Sequence, residues 1–154
     1  MTLRATSHLP ASEIRGDPFD TVTLAHDERR LRRKRLAPGR GEAMLVDLPV
    51  PITLADGDGL VLEDGRVVVV VAAKEALHEV RGRGRSHLVR LAWHLGNRHL
   101  PAQLEEDRIL IRRDHVIRAM LEGLGAVISD VEENFSPEHG AYHSHGEHRH
   151  ALLR

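Results

Sequence analysis

A chain of 154 residues suits one average domain or two small ones. Its 22 Lys and Arg against 23 Asp and Glu leave it close to neutral, which argues against bulk electrostatic binding to nucleic acid or an anionic membrane. It has no cysteine, which excludes disulfides, thiolate metal sites and cysteine nucleophiles, and 12 histidines, so any metal site must be built from nitrogen and oxygen.

Met1 to Ser12 has no apolar core of the signal-peptide kind, and the longest strongly apolar run, Val67 to Ala73, is far too short to cross a bilayer. The expectation is a soluble, cytoplasmic protein. The first half reads as β. Thr21 to Leu24 is rich in β-branched residues, and Met44, Val46 and Leu48 alternate with Ala43, Leu45 and Asp47 until Pro49 and Pro51 break the segment. Glu28 to Arg35, ERRLRRKR, reads as a solvated strand or loop with a partner-facing charge patch; a nucleic-acid reading finds no other support along the chain. Asp56–Gly57–Asp58–Gly59 is turn chemistry. Asp64–Gly65, between Leu60–Val61–Leu62 and Val67 to Val71, predicts a hairpin whose five-valine strand is buried on both faces or passes between domains.

The second half mixes helix and strand. Ala76 to Val80 predicts a short strand and Gly82 to Arg85 a loop. Ser86 predicts an N-cap for a helix whose stripe is Leu88, Leu91, Ala92 and Leu95, with Gly96 and Asn97 stopping it and Pro101 preventing its resumption. Glu106–Asp107 turns a hairpin into the strand Arg108 to Arg112. Asp114 caps a second helix carrying Val116, Ile117, Met120, Leu121 and Leu124, Gly125 ends it, and Ala126 to Val131 is a last strand. The order β-α-β-β-α-β is the ferredoxin-like pattern, two helices covering one face of a four-stranded sheet. The fold expected is α+β: an all-β domain over residues 1–74, a ferredoxin-like domain over 75–136, and a flexible His-rich tail over 137–154.

The tail from His139 to His150 reads HGAYHSHGEHRH, too small and polar to build a core, and compositionally metal-binding. His143 and His145 are two apart, as are His148 and His150. In extended chain such pairs point the same way, so two neutral imidazoles can grip one borderline cation. His94 and His99 flank the end of the first helix. A lone histidine there is more often a capping residue favoured by the helix dipole than a ligand, so spacing alone leaves His99 open. His78 and His115 read as structural, and His8 and His26 have no local constellation. The chain shows no Gly-rich phosphate loop opening a helix and no HExxH, and the adjacent Ser86–His87 is not a triad, so no catalytic residue is expected.

Leu95–Gly96–Asn97–Arg98–His99–Leu100–Pro101 resembles the signature of the UreE family of urease accessory proteins. Trp93–His94 stands where the family has an aromatic–His pair. Asp114–His115–Val116, Met120–Leu121 and Gly123–Leu124–Gly125 look like its second helix, and Phe135, Pro137, Glu138 and Gly140–Ala141–Tyr142 like its final segment. In the first half, Glu28–Arg29–Arg30 to Arg35, Leu60, Glu63–Asp64–Gly65 and the valine strand also fit. The resemblance implies an N-terminal β domain for partner or peptide contacts and a C-terminal domain that forms a homodimer. It implies a metal ligand at His99, shared between two copies, with His143, His145, His148 and His150 as tail candidates to complete the shell. Where many members have a histidine two residues before the position of His115, this chain has Arg113, which weakens an auxiliary site around His115. The implied function is a non-enzymatic nickel metallochaperone that delivers Ni(II) to the urease apoprotein complex in concert with its GTPase accessory protein (UreG). Zn(II) is the competing ion, because imidazole affinity alone does not exclude it. A histidine-based nickel or zinc storage or buffering protein is the alternative.

Overall fold

A computed structural model describes residues 2–138 of the chain. The chain divides into two compact units, Met1–Ala73 and Lys74–Arg154.

The first unit is built on a six-stranded sheet. Its strands are β1 (Leu3–Leu9), β2 (Asp20–Leu24), β3 (Arg30–Leu36), β4 (Met44–Thr53), β5 (Gly59–Leu62) and β6 (Val67–Ala72), in the spatial order β2-β6-β5-β1-β4-β3. β1 lies in the middle, parallel to β4 and antiparallel to β5. The core is one cluster that includes Ala5, Val22, Leu24, Leu31, Met44, Val46, Leu48, Leu60, Val68 and Val70. Each fully buried aliphatic side chain here contributes about 1.5–3 kcal/mol relative to exposure. The hairpin at Asp64–Gly65 forms: Leu62 N–H donates to Arg66 O (2.8 Å), Gly65 N–H donates to Leu62 O (2.9 Å), and Gly65 takes φ 91°, which a side chain would resist.

Two expectations change here, and a third holds except at one residue. The valine strand is buried on one face only: Val68 and Val70 point into the core, while Val67 and Val69 are half-buried and Val71 is exposed. The prolines do not end β4. Between the pairs Arg33↔Asp47 and Leu31↔Ile52, residues 48–51 stand opposite Arg32 alone, so Pro49 and Pro51 occupy a bulge where no ladder hydrogen bond is asked of them. The basic run is a true strand from Arg30, and Arg29 before it is only 2% exposed, its guanidinium donating to Leu24 O (3.4 Å).

The second unit runs β7 (Lys74–Arg81), α1 (Arg85–Asn97), β8 (Ala102–Leu104), β9 (Ile109–Arg112), α2 (His115–Gly123) and β10 (Val127–Asn134). All its pairs are antiparallel and the strand order is β10-β7-β9-β8, the ferredoxin-like arrangement expected. One sheet face, with Val80, Ile109, Ile111 and Ile128, packs on Leu88, Leu91 and Leu95 of α1 and Ile117 and Leu121 of α2. A smaller cluster joins Leu77, Leu110 and Phe135, with Val131 against it. Near it Arg108 gathers three carboxylates. Its Nη1 donates to Glu79 (2.9 Å) and Glu133 (2.8 Å), its Nη2 to Glu133 (2.8 Å) and its Nε to Glu105 (3.0 Å). These bonds raise the guanidinium's pKa still further.

Asp114 caps α2 as expected, accepting from the N–H groups of Val116 (2.9 Å) and Ile117 (3.0 Å). Those two bonds, Ile117's first, hold its carboxyl below the usual range. Val116 is 59% exposed and so lies outside the core its position in the stripe suggested. Ser86 does not cap α1; the N-cap is Gly84, so the helix starts two residues earlier than expected, at Arg85. His87 reaches back to the loop before the helix, its Nδ1 accepting from Arg83 N–H (2.9 Å).

Candidate metal centre

The carboxyl end of α1 positions His99. The helix closes on a Schellman turn: His99 N–H donates to Gly96 O (3.0 Å) and Leu100 N–H to Leu95 O (3.3 Å). Leu100 packs on the core that contains Leu95, which fixes the turn from inside. Such a turn needs a left-handed residue just past the helix, and that residue is His99, with φ 59°. The sequence reading placed the stop at Gly96–Asn97. In the structure both remain helical, and the histidine takes the conformation that glycine usually supplies. The imidazole is exposed, and its ring makes no hydrogen bond among the described residues. It stands at the negative end of the α1 dipole, where a cation is favoured.

The chain leaving β10 returns to this place. Ser136 N–H donates to Gln103 Oε1 (2.8 Å), and Glu138 N–H donates to Ala102 O (2.8 Å). The root of the His-rich segment is thus tied to β8, three residues beyond His99 in the chain. His143, His145, His148 and His150 lie outside the described residues, as does His139.

The remaining histidines divide by what holds their nitrogens. His87 is committed at both, since Nδ1 accepts from Arg83 N–H and Nε2 donates to Leu124 O (2.8 Å); this joins the loop before α1 to the end of α2 and leaves no lone pair for a metal. His78 is 5% exposed and its Nδ1 bonds to Asp130 (2.9 Å). Arg118 also bonds that carboxylate (3.0 Å). Burial pushes the Asp130 carboxyl up, but the His78 bond and the nearby arginines, Arg113 first, together hold it below its ordinary range. His94 is half-buried and meets the Trp93 ring edge-on at 5.2 Å. His115 is exposed in the first turn of α2 beside Asp114. Among the described residues no group of three or more His, Asp or Glu side chains is gathered to hold a metal ion.

One feature of this region escaped the sequence reading. Val89 and Trp93, four apart on α1, are 68% and 65% exposed, and Val89 and Leu104 border a shallow groove of about 360 Å³ between α1 and β8, lined also by Leu88, Ala92 and Ile109. The helical stripe Leu88, Leu91, Ala92, Leu95 explains the buried face alone. A second apolar line at positions 89 and 93 was the available signal. Among the described residues no helix is long and apolar enough to cross a membrane.

Residues 2–73 match the family model described as UreE urease accessory protein, N-terminal domain, and residues 75–152 the one described as UreE urease accessory protein, C-terminal domain. Proteins named urease accessory protein UreE are similar over most of their length. That of Rhizobium rhizogenes is 58% identical over 147 residues, covering 96% of this chain and 88% of the relative. That of Agrobacterium fabrum is 57% identical over 148 residues, covering 96% and 92%. That of Rhizobium meliloti is 54% identical over 146 residues, covering 95% of each. A β-sheet unit followed by a ferredoxin-like unit, each matched along its length by a model of the same accessory protein, defines the class: a two-domain urease accessory protein. Within that class, the chain belongs to the UreE family.

Proposed function

We propose that this protein is a cytoplasmic nickel metallochaperone that acts as a homodimer and delivers Ni(II) during assembly of the urease metallocentre, working with the urease apoprotein complex and its GTPase partner, UreG. The observation that carries the reading is the placement of His99: an exposed imidazole held by a Schellman turn at the negative end of α1, beside the point where the His-rich segment is tied to β8.

One imidazole is too few for a tight site. A second copy supplies another if the two α1 ends meet, and the exposed Val89–Trp93 line gives that meeting an apolar contact. The tail supplies the rest. From Glu138 to His143 is five residues, a reach of at most about 17 Å, and Ala102 is only three residues from His99, so His139 and His143 come within range of the ion. His145, His148 and His150 extend the supply. A shell completed by a tethered segment can open, as a donor site must. All-imidazole ligation also admits Zn(II), so selectivity for Ni(II) comes in part from the receiving proteins.

The test is transfer. Loaded with one Ni(II) per dimer, the protein should activate apo-urease in the presence of the GTPase and GTP faster than the same total nickel in a histidine buffer. Equal rates would make it a store of metal and not a carrier.

A further inference from the structure

The edge of the six-stranded sheet carries a second feature. β3 is its terminal strand: it pairs with β4, and among the described residues no strand pairs with its other side. In seven residues it exposes Arg30, Arg32, Arg33, Lys34 and Arg35. Neighbouring acids answer little of this charge. Asp47 lies 3.6 Å from Arg33 but is held more closely by Arg4, at 2.6 Å. Among the described residues Arg30 reaches only Thr53 Oγ1, at 3.5 Å. Among the described residues no carboxylate stands within ion-pair distance of Arg32, Lys34 or Arg35. Their charge is concentrated on one open edge of a chain whose net charge is −1.

We propose that β3 is a docking edge for an acidic extended segment of a partner protein, which adds to the sheet as a seventh strand. An open edge presents N–H donors and C=O acceptors, and only another peptide strand satisfies both. A phosphodiester backbone offers acceptors alone, and neither β3 nor β4 carries an aromatic side chain on which a base could stack, so the edge is poorly made for nucleic acid. The same charge repels a second copy of β3, which keeps the edge from pairing with itself and leaves it open to strands of the opposite sign. The alternation along β3 also suits the purpose: Arg33 and Arg35 share one face and Lys34 the other, so a strand with acids on both faces is read from both sides.

This edge belongs to the first unit and its test needs no metal, so its failure and that of the nickel reading are separable. The probe is a fluorescein-labelled ten-residue peptide of the repeat Glu–Glu–Thr–Thr, which sets acids on both faces of a strand, followed by anisotropy with the full chain. Binding should weaken with salt and fall about tenfold or more in Arg32→Glu/Lys34→Glu/Arg35→Glu. The milder Arg32→Gln/Lys34→Gln/Arg35→Gln should show a smaller loss in the same direction, with circular dichroism unchanged. The deciding arm is the same peptide N-methylated at every residue, which keeps its charge and loses the pairing donors of both strand edges; its affinity should fall several-fold. Equal affinity for the N-methylated peptide would overturn strand addition. Tighter binding of a labelled oligouridine, or no binding of the acidic peptide at low millimolar concentration, would overturn the choice of partner.

Discussion

His99 and Gly125 occupy the same place in two copies of one motif. Each is the left-handed residue just past a helix, with φ 59° and 90°, and each donates its N–H to the carbonyl three residues back. In each turn the next residue, Leu100 or Ala126, closes the outer bond, to Leu95 O or Leu121 O. Gly125 follows the ordinary preference of that position. His99 departs from it, although left-handed geometry is uphill for a residue with a Cβ by about 1–2 kcal/mol. A side chain kept where the backbone prefers none is the pattern of a residue retained for its chemistry.

That contrast gives a first prediction. His99→Gly should raise thermal stability of the metal-free protein by a few degrees, since relief of about 1 kcal/mol is worth roughly 2–4 °C in a chain of this size. His99→Ala keeps the Cβ and should melt near the parent. Calorimetry on the three proteins without metal decides it, and a clear drop for His99→Gly would make the imidazole structural.

Trp93→Glu should break the proposed homodimer. The side chain is 65% exposed beside an exposed Val89, so the change opens no core in the single chain. Light scattering should show the mass of one chain with the circular dichroism spectrum retained. A mass of two chains for the variant would move the interface elsewhere.

The Arg108 cluster predicts the acid limit of the second unit. Bonds from Arg81 and Arg108 hold the Glu79 carboxyl below its usual range, and Arg108 does the same to Glu133. Folded-state values below the unfolded ones mean stabilisation that is present above about pH 4.3 and lost as pH falls through the lowered values. Arg108→Met releases Glu133 and leaves Glu79 to Arg81 alone, so acid unfolding of the variant should begin at higher pH than in the parent. Identical acid transitions by circular dichroism would remove the cluster from the account.

The second unit was the more legible in sequence, because its signals are local. Asp114 as cap, Gly125 as stop and the spacing of Leu88, Leu91 and Leu95 each act within a turn of helix, and all appear in the structure. The central strand β1 gave no such signal. In Leu3–Leu9 only Ala5 is fully buried, and the strand is held by pairing with β4 and β5 from 40 and more residues away. Pro49 and Pro51 misled for the same reason, since a bulge opposite Arg32 is a property of the pairing and not of the segment. Of the site, spacing singled out the histidines, but resemblance was needed to prefer His99. The return of Glu138 to Ala102 is a long-range contact that no local pattern encodes.

Removal of residues 143–154 should lower the nickel bound per chain and weaken what remains, while the metal-free melting temperature stays put. Residues 143–154 carry no large apolar side chain except Leu152 and Leu153, so their removal should cost little stability. Equilibrium dialysis gives the stoichiometry. Unchanged stoichiometry and affinity would make the tail a bystander.

The most direct measurement is calorimetric titration of the metal-free protein with Ni(II) at neutral pH, beside His99→Ala. The parent should show a tightest event of one ion per two chains, and that event should disappear in the variant while dimer mass and melting temperature are kept. It should also fade in the parent below about pH 6, because a ligating imidazole must be neutral and histidine in water titrates near 6.5. A variant that keeps the tightest event unchanged would contradict the account.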